Sequence, residues 1–89
     1  MKSFKTEILT PQKIAYSGEV DALVLNGELG SFGVLAGHAP LIARLAPGKL
    51  KLTRGGEDSV YKAGAGFVRV DKDRVSIMLD EIKETTVSK

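Results

Sequence analysis

The chain alternates. In Gly48-Lys49-Leu50-Lys51-Leu52-Thr53, Leu50 and Leu52 fall on one side and Lys49, Lys51 and Thr53 on the other. Val75, Ile77 and Leu79 recur at every second position of the segment Arg74 to Asp80. Val68 and Val70 alternate with Phe67, Arg69 and Asp71, and Phe4, Thr6 and Ile8 alternate with Lys5 and Glu7. Successive side chains of a strand point to opposite faces, so a period of two with one apolar set predicts an antiparallel sheet buried on one side. Turn chemistry separates these runs. Arg54-Gly55-Gly56-Glu57 can supply the positive φ values of a tight hairpin, and Asp71-Lys72-Asp73 reads as a second hairpin tip. Gly64-Ala65-Gly66 predicts a bend or bulge, and Thr10-Pro11-Gln12 and Ser17-Gly18 predict breaks in the first strands. Leu35 to Ala46 has near-helical apolar spacing, but Gly37 and Pro40 interrupt it. In the tail from Asp80 to Val87, the Thr85-Thr86-Val87 run favours an extended strand over a helix. The pattern predicts an all-β fold, an antiparallel β sandwich or barrel of about eight to ten short strands.

Length fixes the scale of this fold. Eighty-nine residues make one domain, residues 1–89, with no room for a second core. The absence of cysteine excludes disulfides, thiolate metal sites and cysteine nucleophiles. Thirteen Lys+Arg against eleven Asp+Glu leave a formal charge of +2, too small an excess for a nucleic-acid polycation. The N-terminal residues include no apolar core of a secretory leader, and stretches such as Ala22 to Leu25 are too short to cross a bilayer. The expectation is a soluble protein, cytoplasmic by default, reaching a membrane only through a partner.

Candidate chemistry is sparse. His38 is the single imidazole, with no acid within nine residues of it, and reads as a packed or hydrogen-bonded turn residue rather than a ligand or base. Gly27, Gly30, Gly33 and Gly37 recur through one segment without the order of a dinucleotide or P-loop motif. That segment reads as a loop with unusual φ values that places backbone against a partner. Lys49, Lys51 and Arg54, with Arg44 nearby, form an acid-free basic run, but no aromatic falls between Ala43 and Gly56 for base stacking. Lys72, at a hairpin tip, has the placement of a lysine modified in lipoyl or biotinyl carrier domains. The paired carboxylates Glu57-Asp58 and Asp80-Glu81 sit in polar turns and strand ends, and no Ser-His-Asp, G-x-S-x-G or H-E-x-x-H arrangement occurs. No cofactor, metal site or catalytic residue is implied.

One stretch is more specific. Gly27-Glu28-Leu29-Gly30-Ser31-Phe32-Gly33 runs into Gly37-His38-Ala39-Pro40-Leu41, and Pro47-Gly48 opens the next strand. This resembles the N-terminal domain of the epsilon subunit of F-type ATP synthase. The likeness extends outward through Ile8 to Val20, through Gly64-Ala65-Gly66-Phe67-Val68-Arg69-Val70 and through Val75 to Asp80. Two positions depart from the family pattern. Ala36 stands where many members have Pro, and Ser31 where many have a Glu that faces the membrane rotor ring.

The resemblance implies a non-catalytic subunit of a rotary proton-translocating ATP synthase, placed in the central stalk. It links the gamma subunit to the c-subunit ring and couples proton-driven rotation to ATP synthesis. By the same resemblance Glu28, Leu29, Gly30, Ser31 and Phe32 face the c ring. His38, Ala39, Ile42, Arg44, Met78, Asp80 and Ile82 lie toward gamma. Phe32, Val34, Leu35, Met78, Ile42 and Ile82 are the apolar residues expected outward, free to meet a partner. The family continues into an inhibitory C-terminal helical hairpin, some of whose members bind ATP there, and this sequence reaches Lys89 before that hairpin. The expected place is the cytoplasmic face of a bacterial inner membrane or the stromal face of a thylakoid. Contact with the membrane is expected only through the c ring, with no nucleic-acid partner and no homo-oligomer. Two alternatives stand beside it: a carrier domain modified at Lys72, and a nucleic-acid-binding β barrel using Lys49, Lys51 and Arg54. An enzyme ranks below both.

Overall fold

The computed structural model describes residues 3–72 and 74–85. Ten strands fill these residues: β1 Phe4–Leu9, β2 Ile14–Val20, β3 Ala22–Gly27, β4 Gly30–Leu35, β5 Leu41–Leu45, β6 Gly48–Arg54, β7 Glu57–Ala63, β8 Gly66–Asp71, β9 Arg74–Leu79 and β10 Ile82–Glu84. They form one ten-stranded sheet, in the order β10-β7-β6-β3-β5-β8-β9-β1-β2 with β4 paired to β3. Folded at the β3–β5 junction, it has two layers, β4-β3-β6-β7-β10 and β5-β8-β9-β1-β2. All pairings are antiparallel except one: β1 lies parallel to β9, with Ile8 beside Ile77. The sheet is therefore mixed, where period-two patterning alone implied an antiparallel one.

The alternation of the sequence becomes the core. Leu23 and Leu25 of β3, Val34 of β4, and Leu50 and Leu52 of β6 are buried from one layer. Phe4 and Ile8 of β1, Val20, Leu45, Val68, Val70, Val75, Ile77 and Leu79 meet them from the other. Interdigitated inner faces of this kind are what hold a sandwich together. Thr6 shares the inner face of β1, is fully buried, and its Oγ1 has no hydrogen-bond partner.

Two seams join the layers. At the first, β3 and β5 meet through a single residue pair, Gly27 and Leu45. The Asn26 side chain reinforces it, donating from Nδ2 to the carbonyl of Pro47 at 2.9 Å, while the Ala46 N–H donates to the Asn26 carbonyl at 2.9 Å. At the second, the end of β2 meets β6. The Asp21 N–H donates to the Thr53 carbonyl at 2.8 Å, the Gly55 N–H donates to the Asp21 carboxylate at 2.8 Å, and the Arg54 guanidinium donates to the Tyr16 hydroxyl at 3.3 Å.

Turn chemistry plays out as expected at Gly55 and Gly56, which take φ values of 59° and 83° in the β6–β7 hairpin. Lys72 at the β8–β9 tip also has positive φ, 40°; Asp73 and the Thr86-Val87 part of the tail lie outside the described residues. Gly64 and Gly66 do mark a bend, but the cause is close approach. A Cβ on Gly66 would run into the Met78 carbonyl oxygen and one on Gly64 into the Asp80 carboxylate. Ser17-Gly18 does not break a strand: β2 continues through it, with Gly18 opposite Thr6 and over the Tyr16 side chain.

Candidate interface between the β3–β4 hairpin and strand β5

The segment expected as a glycine-rich loop is a β-hairpin. Gly27 pairs with Gly30 across a tip of Glu28 and Leu29, and β4 continues to Leu35 in register with Ala22. Gly30 alone bends the chain there, at φ 130°. Val34, expected to face outward, is in the core because β4 alternates like its neighbours, and Phe32 packs half-buried against that core. Leu35 does face outward, and Leu29 at the tip is fully exposed.

β4 and β5 diverge from the seam at Gly27 and Leu45, and a groove of about 610 Å³ opens between them. Phe32, Leu41 and Ala43 are its half-buried apolar lining, and Ile42, 74% exposed, also lines it. Glu28, Leu29 and Gly30 line it from the hairpin, His38 and Arg44 from the other side. The Glu28 N–H donates to the Arg44 carbonyl at 3.1 Å, so the tip is tied to β5. His38 sits in the turn after β4. Its N–H donates to the Leu35 carbonyl at 3.1 Å and its Nδ1 to the Ala39 carbonyl at 2.6 Å. The imidazole is thus occupied with its own turn. Two residue groups that the resemblance sends to different partners, Glu28 to Phe32 and His38 to Arg44, border one groove; Ser31 and Ala39 are exposed beside it.

The remaining gamma-side candidates separate. Met78 of β9 stands beside Phe67 of β8, and Phe67 beside Arg44 of β5. On the other side Met78 neighbours Leu9 of β1, which pairs with Ile14 of β2. The outer face of this layer therefore carries a cross-strand row of Arg44, Phe67, Met78, Leu9 and Ile14, with Phe67 45% and Ile14 63% exposed. Phe67, Leu9 and Ile14 were not singled out in the sequence, because only the register shows that they share a row with Met78. Asp80 is exposed in the bend after β9. Ile82 belongs to the other layer, where it pairs with Ala63 and packs against the core.

The other candidate features are elsewhere. Lys49, Lys62 and Lys83 stand directly opposite one another on β6, β7 and β10 and are all exposed. Lys51 approaches Asp58 at 4.0 Å. Tyr61 of β7 has its phenol held above the ordinary value, first by burial and then by the Glu84 carboxylate and Tyr16. Among the described residues no three His, Asp or Glu side chains gather as a metal site would require, and no helix is long and apolar enough to cross a membrane.

Comparison with known proteins places this architecture. Residues 3–85 match the family described as ATP synthase, Delta/Epsilon chain, beta-sandwich domain. The ATP synthase epsilon chain of Chromohalobacter salexigens is 41% identical over 81 residues, which is 90% of this chain and 57% of that protein. That of Leptospira interrogans is 41% identical over 76 residues, 85% of this chain and 60% of that protein. The chain thus spans less than two thirds of the curated relatives it matches. Among solved structures, a chain of the Euglena gracilis mitochondrial ATP synthase OSCP/F1/c-ring assembly superposes with a TM-score of 0.88 at 27% identity, over 92% of this chain and 53% of that one. A chain of the Tetrahymena thermophila mitochondrial ATP synthase central stalk/c-ring assembly shares the fold, with a TM-score of 0.77 at 18% identity over 91% of this chain and 66% of that one. The match over residues 3–85 and the relatives at 41% identity make this chain a member of the ATP synthase delta/epsilon family, through that family's β-sandwich domain.

Proposed function

We propose that this chain is a non-catalytic rotor element, joining the gamma subunit of an ATP synthase to its c ring. The observation that carries the reading is the exposed apolar row on the outer face of the second layer. Ile14 and Phe67 are at least 45% exposed there, with Leu9 and Met78 between them in the register, and the exposed Ile42 lies two residues from Arg44 on β5. A contiguous apolar face on a small folded protein marks a partner surface. A partner that must transmit torque needs a lasting, apolar-centred interface of roughly 2,000 Å² or more. Gamma takes this face, together with His38, Ala39, Ile42 and Arg44 along the groove and Asp80 and Ile82 at the far bend. The hairpin tip, Glu28 to Phe32, meets the c ring, with Leu29 as its apolar point and Glu28 as its charge. Ser31 brings no second carboxylate to that contact.

Two packed layers pinned at both seams form a block that resists shear, which suits mechanical coupling. The work is done on the side of the membrane where the catalytic head stands.

The test is reconstitution with purified gamma subunit and c ring. Phe67→Asp and Ile42→Asp replace exposed side chains and should leave the thermal midpoint of the isolated chain near the wild-type value while abolishing gamma binding. Glu28→Lys should weaken retention on the c ring and spare gamma. A folded wild-type chain that binds neither partner would sink the reading. So would ATP synthesis driven equally well by assemblies lacking the chain.

A further inference from the structure

We propose that the layer β4-β3-β6-β7-β10 rests at its hairpin end on an anionic lipid surface, held by the aligned ammonium groups of Lys49, Lys62 and Lys83. The choice of a membrane rests on the rotor reading above, which sets this end of the sandwich against the c ring. Three observations carry it. First, the lysines are in register: Lys49 of β6 stands opposite Lys62 of β7, and Lys62 opposite Lys83 of β10. Neighbouring strands lie about 4.8 Å apart, so the row spans about 10 Å. Like charges placed directly opposite one another destabilise a sheet. Among the described residues no carboxylate forms an ion pair with any of the three, whereas Lys51, two residues along β6, has Asp58. Asp80 and Glu81 border the same recess as Lys62 and Lys83, yet they too form no ion pair with them. The repulsion along the row is not offset inside the chain.

The second observation is where the row stands. β3 and β6 run antiparallel, with Val24 beside Lys51, so β6 begins where β3 ends. The Asn26 side chain lies against Gly48, the residue before Lys49. The β3–β4 tip of Glu28 and Leu29 follows two residues after Asn26, and Leu29 is fully exposed. The lysines and the tip assigned to the c ring thus share one end of one layer. The ring is bordered by lipid, so headgroups adjoin the surface that the tip meets. The third observation is residue type. Lysine is a compact, hydrated point charge on a flexible stem and lacks the arginine fork that grips a single phosphate. The row also holds no aromatic ring for base stacking. It therefore responds to the density of negative charge on a surface, as basic clusters beside anionic headgroups do.

The experiment is co-sedimentation of the full chain with two kinds of vesicle, at low salt. One is phosphatidylcholine alone, the other equal parts phosphatidylcholine and phosphatidylglycerol. Each lysine brought to an anionic surface strengthens binding about five-fold, so the row should favour the anionic vesicles by about 100-fold. That preference should vanish at about 1 M salt, where the screening length is about 3 Å. Lys62→Glu removes a positive charge and adds a negative one, and should weaken anionic-vesicle binding about 25-fold. Its thermal midpoint should be at or above that of the wild type, so unfolding would not account for the loss. Lys83→Gln, a milder change in the same row, should weaken binding about five-fold. Lys72→Glu changes the net charge as Lys62→Glu does, but at the β8–β9 tip in the other layer, and should have far less effect. Equal binding of the wild-type chain to both vesicles would overturn the proposal. So would equal losses in Lys62→Glu and Lys72→Glu, which would report net charge alone. Lys62→Glu that spares vesicle binding but lowers retention on gamma or the c ring would overturn it in favour of an acidic protein surface. The expected vesicle pattern in a chain that binds neither gamma nor the c ring would uphold the lipid contact and sink the rotor reading alone.

Discussion

Thr6→Val should stabilise the protein. Thr6 points inward from β1, flanked by Gly18 on β2 and Val75 on β9, and is fully buried. Its hydroxyl has no partner. Leaving a buried hydroxyl unpaired costs about 1–3 kcal/mol by mutational measures. Valine has nearly the same shape and replaces that hydroxyl with a methyl, adding about 0.8 kcal/mol of apolar burial. Gly18 opposite has no side chain of its own but is covered by the Tyr16 ring, so the new methyl has to pack beside that ring. Allowing for imperfect packing of the new methyl, the net gain should be about 1–2 kcal/mol. For a domain of this size that raises the thermal midpoint by roughly 4–16 °C. Urea unfolding should show a higher midpoint at unchanged m, since a change in m would report on compactness instead. Thr6→Ser is the companion measurement. It keeps the hydroxyl and loses the methyl, and should cost about 0.5–1.5 kcal/mol. Thr6→Val at or below wild-type stability, with Thr6→Ser costing as expected, would refute the reasoning: the hydroxyl would then contribute to stability rather than detract from it.

Other changes probe the backbone and the surface. Gly66→Ala should cost about 3 kcal/mol or more, because its Cβ meets backbone atoms of Met78 and Leu79 and cannot be relieved by rotating a side chain; chemical denaturation reads this directly. Lys72→Gly should add about 1 kcal/mol by removing a side chain from a positive φ, seen as a higher urea midpoint. An unchanged midpoint would mean the tip is unstrained. Lys62→Glu places an acid between Lys49 and Lys83 and turns two opposed like charges into two attractive pairs. It should stabilise by about 0.5–1 kcal/mol at low salt, and the gain should vanish at 1 M salt, where the screening length is about 3 Å.

Much of this fold was legible in the sequence, and the reason is one-sided burial. β1, β6, β8 and β9 each show a clean alternation because one face packs and the other is wet. The Gly55-Gly56 turn was legible because few other residue pairs take two successive positive φ values. β4 was not. Glycines at 30 and 33 erase its polar-side pattern and leave Phe32 and Val34 looking like stray apolar residues in a loop. Gly18 misled in the opposite way, since its place is set by the Tyr16 ring lying over it and not by a turn. The candidate site was half legible. The resemblance picked out the hairpin tip and the His38–Arg44 stretch as separate contacts. That they border one groove depends on where β5 leaves β3, which no local pattern encodes. The row through Phe67, Met78 and Leu9 depends on register between strands far apart in the chain, and one of those pairings is parallel.

That parallel pairing also sets a timetable. The strand made first has the strand made ninth as one of its two neighbours, so the N-terminal segment emerges from the ribosome long before its second neighbour exists. At about 5–20 residues per second, the 70 residues from Leu9 to Leu79 take roughly 4–14 s to appear. For that interval Phe4 and Ile8 have only the β1–β2 hairpin to shelter them, and an isolated hairpin is marginal in water. The core cannot close strand by strand as it is synthesised. It must close late and nearly all at once, which makes the nascent chain, rather than the finished domain, the state most exposed to mispairing and to chaperones.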